Sequence, residues 1–313
     1  MKKYLMLILF IIVSGSIVQS QTLAERLGYK KTDRLLIINN DDAGMSHASN
    51  MGTIEGMEKG CISTSTIMTP CPWINEIIKY AINNPKRDFG AHLTLTSEWE
   101  NYRWGTVAPR DKVPGLYDSQ GYMWKEPEDV YKASSPQEAL IEGRAQINKL
   151  IKRGVKITHI DSHMGTYQES PEYMKIYLQL AEEFNLPARM PSQATLDSFK
   201  QPLFRQMCKD KGIICPDYFI YEEFKNYTTE NVDSFWVNYI KNIKPGVTEI
   251  YIHGSTESAE IHALSHIADR RVKELNFITS NTLKDLLKKE GIILIGYRPL
   301  MELQRKERQQ KHR

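Results

Sequence analysis

The chain has 313 residues, 41% apolar and 25% charged, which suits a soluble globular enzyme and leaves enough length for a sizeable core. Its formal charge of +3 comes from 41 basic and 38 acidic residues, too even a balance for a nucleic-acid binder.

The first element is "MKKYLMLILFIIVSGSIVQSQ": two lysines, an apolar run from Tyr4 to Val13, then small residues. That order predicts a secretory leader over residues 1–20, cleaved between Ser20 and Gln21, and an exported periplasmic or secreted protein. The apolar run is shorter than the ~20 residues a membrane span needs, so no stable membrane insertion is expected.

Beyond it, short apolar strands alternate with helical stretches. Strands are predicted at Leu35–Asn40, Ser63–Thr69, Phe89–Thr96, Lys156–His163, Ala188–Pro191, Tyr218–Tyr221, Glu249–His253 and Ile292–Gly296. Helices are predicted at Ala48–Gly60, Trp73–Asn83, Pro136–Arg153, Pro171–Phe184, Thr229–Asn242 and Asn281–Gly291. Such alternation points to parallel strands with crossover helices, an α/β barrel, as a single domain over 21–304. The stretch Ser97–Ser135, with Trp99, Tyr102, Trp104, Tyr117, Tyr122 and Trp124, reads as a long insertion. Its aromatics either stack sugar rings or pack a satellite core. The four cysteines (Cys61, Cys71, Cys208 and Cys215) form no CxxC pair and read as small buried thiols. The tail over 305–313, "RKERQQKHR", reads as a frayed basic terminus.

In parallel α/β folds ligands sit at the carboxyl ends of strands. The first strand ends in Asp41-Asp42-Ala43-Gly44, where two adjacent carboxylates repel unless a cation compensates them. Period-two alternation puts His92, Thr94 and Thr96 on one face of "FGAHLTLT" and aligns His159, Asp161 and His163 in "ITHIDSH". "EIYIHGS" ends in His253. Singly, each has a structural explanation: a core histidine, a hydrogen-bonded loop network, or an aspartate capping the following helix. Jointly, at successive strand ends, they predict a metal site.

The segments "NNDDAG", "GAHLTLT" and "THIDSH" resemble the N-A-D-D-F-G, G-x-H-L and T-H-x-D-S-H-H motifs of the YdjC-like carbohydrate deacetylases. The likeness runs in order through nearly the whole chain after the leader, including "GCISTSTIM" and the closing "ITSNTLKDLLKKEGIILIGYR". It implies an irregular TIM-barrel-like fold and one divalent metal held by an aspartate and two histidines. By motif position the ligands would be Asp42, His92 and His163. Asp41 would be the general base, and His253 the general acid or oxyanion stabiliser. Arg189 would orient the site, and Arg189 and Asp161 would lie against substrate. The resemblance suggests magnesium, whereas two imidazoles favour zinc-like ions, with manganese or cobalt also suited.

The implied activity is metal-dependent removal of acetyl groups from N-acetylated saccharides, with an acetylated saccharide as partner; a homodimer is compatible with it. A metal-dependent phosphoesterase and a non-catalytic sugar-binding protein are the alternatives. Three departures stand beside the proposed ligands: Ala43 replaces the usual aromatic, Met164 and Gly165 replace two histidines, and "HGS" stands where His-Pro is common. Ala43 is expected to enlarge the pocket beside the base.

Overall fold

Among the described residues, seven parallel strands form one curled sheet: β1 (Arg34–Ala43), β2 (Thr64–Ile67), β3 (Phe89–Leu93), β4 (Ile157–Ser162), β5 (Tyr218–Phe219), β6 (Gly246–Ile252) and β7 (Ile292–Leu294). This computed structural model describes residues 21–311, so the predicted leader lies outside the described residues. The order is β4-β3-β2-β1-β6-β5, with β7 beside the start of β1. β1 pairs with β6 from Arg34 to Asn40 along one edge. Its other edge takes β7 at Arg34–Leu36 and β2 from Asn39 onward.

The sheet is an irregular, part-closed barrel. The predicted strand Ala188–Pro191 is reduced to a single bridge, Ala188 to Ile160 of β4. Ala188 N–H also donates to the Ile214 carbonyl at 3.2 Å, which carries the seam from β4 toward β5. Pro187 and Pro191 flank this segment, and proline has no N–H for a ladder.

Alternation sorts the side chains into two layers. Leu36 and Ile38 of β1, Phe89, Ala91 and Leu93 of β3, and Ile250 and Ile252 of β6 pack in the large core under the helices. The other face of each strand points into the barrel, where Leu35, Ile37 and Val247 meet Tyr297. His159 is stacked on the Tyr297 ring with centroids 3.7 Å apart. Gly90 allows this: a Cβ there would stand 2.5 Å from the His159 ring.

Capped helices follow the strands. Ser46 caps His47–Lys59, and Ser135 forms a capping box at Pro136–Lys152 with Glu138. The helix Ala268–Thr279, which no prediction covers, packs against the helices His47–Lys59 and Val232–Lys241. Among the described residues of the tail the chain is helical, as part of the helix Arg298–Lys311. There Glu307 pairs with Arg26 at 2.7 Å, and Arg308 donates to the carbonyls of Glu182 and Lys211.

The insertion mostly builds a satellite core. Trp99, Trp104 and Met123 pack with Met45, Met68, Cys71 and Ile261, and of its aromatics only Tyr122 is markedly exposed, at 41%. All four cysteines are free thiols, three of them buried. Among the described residues no helix is long and apolar enough to cross a membrane.

Candidate metal centre and active site

Parity along β1 explains the paired aspartates. Residues 35, 37, 39 and 41 point into the barrel, so Asp42 on a regular strand would face the helices. Instead Asp42 has φ of 66°, a left-handed conformation that aspartate tolerates better than most residues. The pairing of β1 with β2 slips between Asn40 and Ala43 at the same point. The kink therefore falls on Asp42 itself. It brings both carboxylates to one pocket.

Asp42, His92 and His163 converge. Asp42 Oδ1 lies 3.4 Å from His92 Nε2 and 3.3 Å from His163 Nδ1. That oxygen is buried and accepts no well-formed hydrogen bond, while Arg271 donates to the other oxygen at 2.9 Å. An orphaned buried carboxylate oxygen between two imidazole nitrogens fits a divalent ion. Neighbouring ligands about 2.0–2.2 Å from one tetrahedral ion would stand roughly 3.3–3.6 Å apart.

The second ring nitrogens are held as metal-ligating histidines require. His92 Nδ1 meets Asp161 Oδ1 at 2.6 Å, and His163 Nε2 meets Glu98 Oε2 at 3.0 Å. Burial opposes charge on both rings, yet the carboxylates outweigh it. Asp161 and Asp41 hold His92 up to about 10. Glu98 and Asp42 hold His163 up to about 9. Glu98 comes from the insertion and was invisible to the motifs; its only signal is a position two residues beyond Thr96.

Asp41 stands beside this centre. Burial works against its ionisation, but Arg189 donates to both of its oxygens, at 2.7 and 2.8 Å, and holds the carboxyl below its ordinary range. Asp42 is held well below its ordinary range against the same burial, chiefly by Arg271. His253 lines the pocket, fixed through its backbone N–H to Glu274 at 2.7 Å. Burial pushes its imidazole down to about 4, more than the nearby Asp42 raises it. His253 is therefore neutral at pH 7.

Two expectations are corrected. Asp161 does not reach the pocket: it is fully buried behind His92, where Thr66 and Asn39 also donate to it. Ala43 does not widen the pocket, since the kink turns it into the large core. Of the other departures, Met164 and Gly165 do line the pocket, and Met164 is itself left-handed at φ 50°. His159, aligned with Asp161 and His163 by alternation, lies deeper in the barrel, because each two-residue step along β4 is one layer.

The pocket has a volume of about 430 Å³, in the range of small-molecule sites. Its apolar wall comes from Trp99, Phe199, Phe219, Tyr221 and Tyr251. The two arginines in its lining are both committed to carboxylates, Arg189 to Asp41 and Glu249, Arg271 to Asp42.

Comparison with known proteins places the chain among relatives of one family. The model of the YdjC-like protein family matches residues 35–289. A carbohydrate deacetylase of Enterococcus faecalis is 28% identical over 271 residues, covering 86% of this chain and 99% of the relative. One of Brevibacillus brevis is 28% identical over 266 residues, covering 85% and 99%. A crystal structure from Enterococcus faecalis, of a protein whose description proposes cellobiose-phosphate cleavage, superposes with a TM-score of 0.74 at 28% identity. It covers 86% of this chain and 99% of that one. The chain belongs to the YdjC-like protein family.

Proposed function

We propose that this protein is a carbohydrate deacetylase that hydrolyses the acetamide of N-acetylated saccharides with a divalent ion held by Asp42, His92 and His163. The observation that carries the reading is the unpartnered Asp42 Oδ1 between two imidazole nitrogens, with the ionised Asp41 in the same pocket wall. The relatives named carbohydrate deacetylase support the reaction class. Two imidazoles and one carboxylate suit zinc-like ions, with manganese, cobalt or magnesium as the other candidates.

When bound, such an ion supplies Lewis-acid polarisation of the acetamide carbonyl and acidifies the attacking water. The protein's own groups do the rest. Asp41, kept ionised by Arg189, accepts the water's proton and would return it to the amide nitrogen, so that the C–N bond breaks with the amine as leaving group. His253, neutral at pH 7, serves better as an N–H donor to the oxygen that gains charge than as a stored proton. Trp99, Phe219 and Tyr251 offer flat apolar faces to a sugar ring.

The phosphoesterase reading is weaker. A phosphate needs an uncompensated positive charge, and aspartates neutralise both arginines lining the pocket, although Arg271 Nη1 itself has no hydrogen-bond partner. The test is acetate release by the purified protein over N-acetylated and O-acetylated saccharides, with chelator and with added divalent ions. Release that chelator abolishes and an added ion restores is expected. Metal-loaded protein that frees no acetate from any of them would sink the proposal.

A further inference from the structure

Arg189 is the junction of a buried chain that crosses the barrel. Its Nη1 and Nη2 grip Asp41, and Nη1 also lies 3.1 Å from Asp161 Oδ2. Its third nitrogen, Nε, donates to Glu249 Oε1 at 2.9 Å. The other oxygen of Glu249 accepts a hydrogen bond from the Tyr297 hydroxyl. Glu249 and Tyr297 are both fully buried, and neither touches the pocket.

A carboxylate in the middle of β6, facing into a barrel, is expensive where an aliphatic residue would pack at less cost. The steps proposed above make no use of it. Its contacts show what it does to Arg189. The rings of Phe219 and Tyr251, stacked on each other with centroids 5.5 Å apart, flank the guanidinium on one side, each 5.1 Å from its central carbon. Its backbone carbonyl is fixed by Gln168 and Tyr177. The Nη1 and Nη2 contacts to Asp41 by themselves leave the fork free to slide along the carboxylate. The second anchor, at Nε, removes that freedom.

We propose that Glu249, locked by Tyr297, is a positioning residue that fixes the Arg189 fork and through it the orientation of the Asp41 carboxylate. The proposal rests on the reading of Asp41 as the base that takes the water's proton. A proton acceptor must sit within hydrogen-bond reach of its target, and a displacement of about 1 Å costs up to ~100-fold in rate. Glu249 therefore acts on turnover, not on metal or substrate binding.

Three variants test this. Glu249→Met removes the acceptor for Nε at similar size; Tyr297→Phe removes one hydroxyl; Glu249→Gln keeps an oxygen for Nε and serves as the conservative rescue. Expected is a fall in kcat of roughly tenfold or more for Glu249→Met, less for Tyr297→Phe, and least for Glu249→Gln. KM and the metal Kd from calorimetry should stay within about twofold of wild type. Should Glu249→Met not fold, Tyr297→Phe alone decides. An unchanged kcat in the folded variants, or equal losses in metal binding, KM and kcat, overturns the proposal.

A second readout is independent of turnover. In wild type the Arg189 Nε–H should give a slowly exchanging NMR signal, assigned by its absence in Arg189→Lys and lost in Glu249→Met. An Nε–H signal unchanged by Glu249→Met overturns the anchor. Wild-type protein that frees no acetate but keeps that signal would break the deacetylase reading while leaving the anchor standing.

Discussion

Glu98 Oε2 lies 3.0 Å from His163 Nε2, which turns the ring so that Nδ1 faces Asp42 Oδ1 at 3.3 Å. A carboxylate behind a histidine fixes its tautomer and makes it a stronger ligand. Glu98→Gln should therefore lower metal affinity by about 10–100-fold while the protein stays folded. Competition with a chelator of known affinity measures it, and circular dichroism checks the fold. Unchanged affinity would show that His163 needs no such support.

Metal uptake should release protons. With His92 held up to about 10 and His163 up to about 9, both rings are charged at pH 7 in the metal-free protein. An ion needs both neutral, so about two protons should leave per ion bound. Calorimetry in buffers of different ionisation enthalpy counts them, and affinity should rise with pH up to about 10. The sign for stability follows from the same shifts. Both folded-state values lie above the ordinary ~6.5, so their stabilisation is complete below that pH. It is lost as pH climbs through about 9 and 10. Chelator-treated protein should melt at lower temperature at pH 10 than at pH 7, and by more than metal-loaded protein does.

The two aspartates should respond differently to the same change. Asn tolerates the left-handed conformation of Asp42, so Asp42→Asn should fold but lose the ion, an amide being a poor substitute for a charged ligand. Asp41→Asn should keep the ion and lose roughly 10²–10⁴-fold in kcat with a modest change in KM. Metal content and acetate release on both single variants decide. An active Asp41→Asn together with a metal-replete Asp42→Asn would reverse the assigned roles.

Gly90→Ala should destabilise the fold by about 1–3 kcal/mol. The added methyl would stand 2.5 Å from the His159 ring, which the Tyr297 stack at 3.7 Å prevents from moving aside. Thermal denaturation of wild type and variant measures the loss, and an unchanged Tm would mean that the stack yields.

Export rests on the Lys2-Lys3, apolar-run, small-residue order at the amino end. Mass spectrometry of protein from its native host should find a chain beginning near Gln21. A chain still carrying Met1 would refute the leader.

Most elements were legible because both layers of a parallel sheet are apolar and the helices carry their own caps. β1, β3, β4 and β6 lie within a few residues of their predicted bounds. The carboxyl ends of those strands named Asp41, Asp42, His92, His163 and His253, since strand direction and alternation are local properties. The helix Ala268–Thr279 was missed because its charged sequence, "ADRRVKELNFIT", has a weak apolar stripe.

The partners of those residues were not legible. Glu98, Arg271, Glu249 and Tyr297 sit in an insertion, a polar helix, a strand interior and the turn before the last helix, with no local signal of any role. Arg271 is 229 residues from the Asp42 it compensates, and Arg189 is 148 from Asp41. Which buried charge meets which is decided by closure of the barrel, because a carboxylate's cost depends on what the other strands bring within about 3 Å of it. The kink shows the same division. The sequence by itself put two aspartates at the end of β1. Only the pull of two opposed partners, Arg189 within the barrel and Arg271 beside the pocket, with the left-handed turn at Asp42, made one a candidate ligand and the other a candidate base.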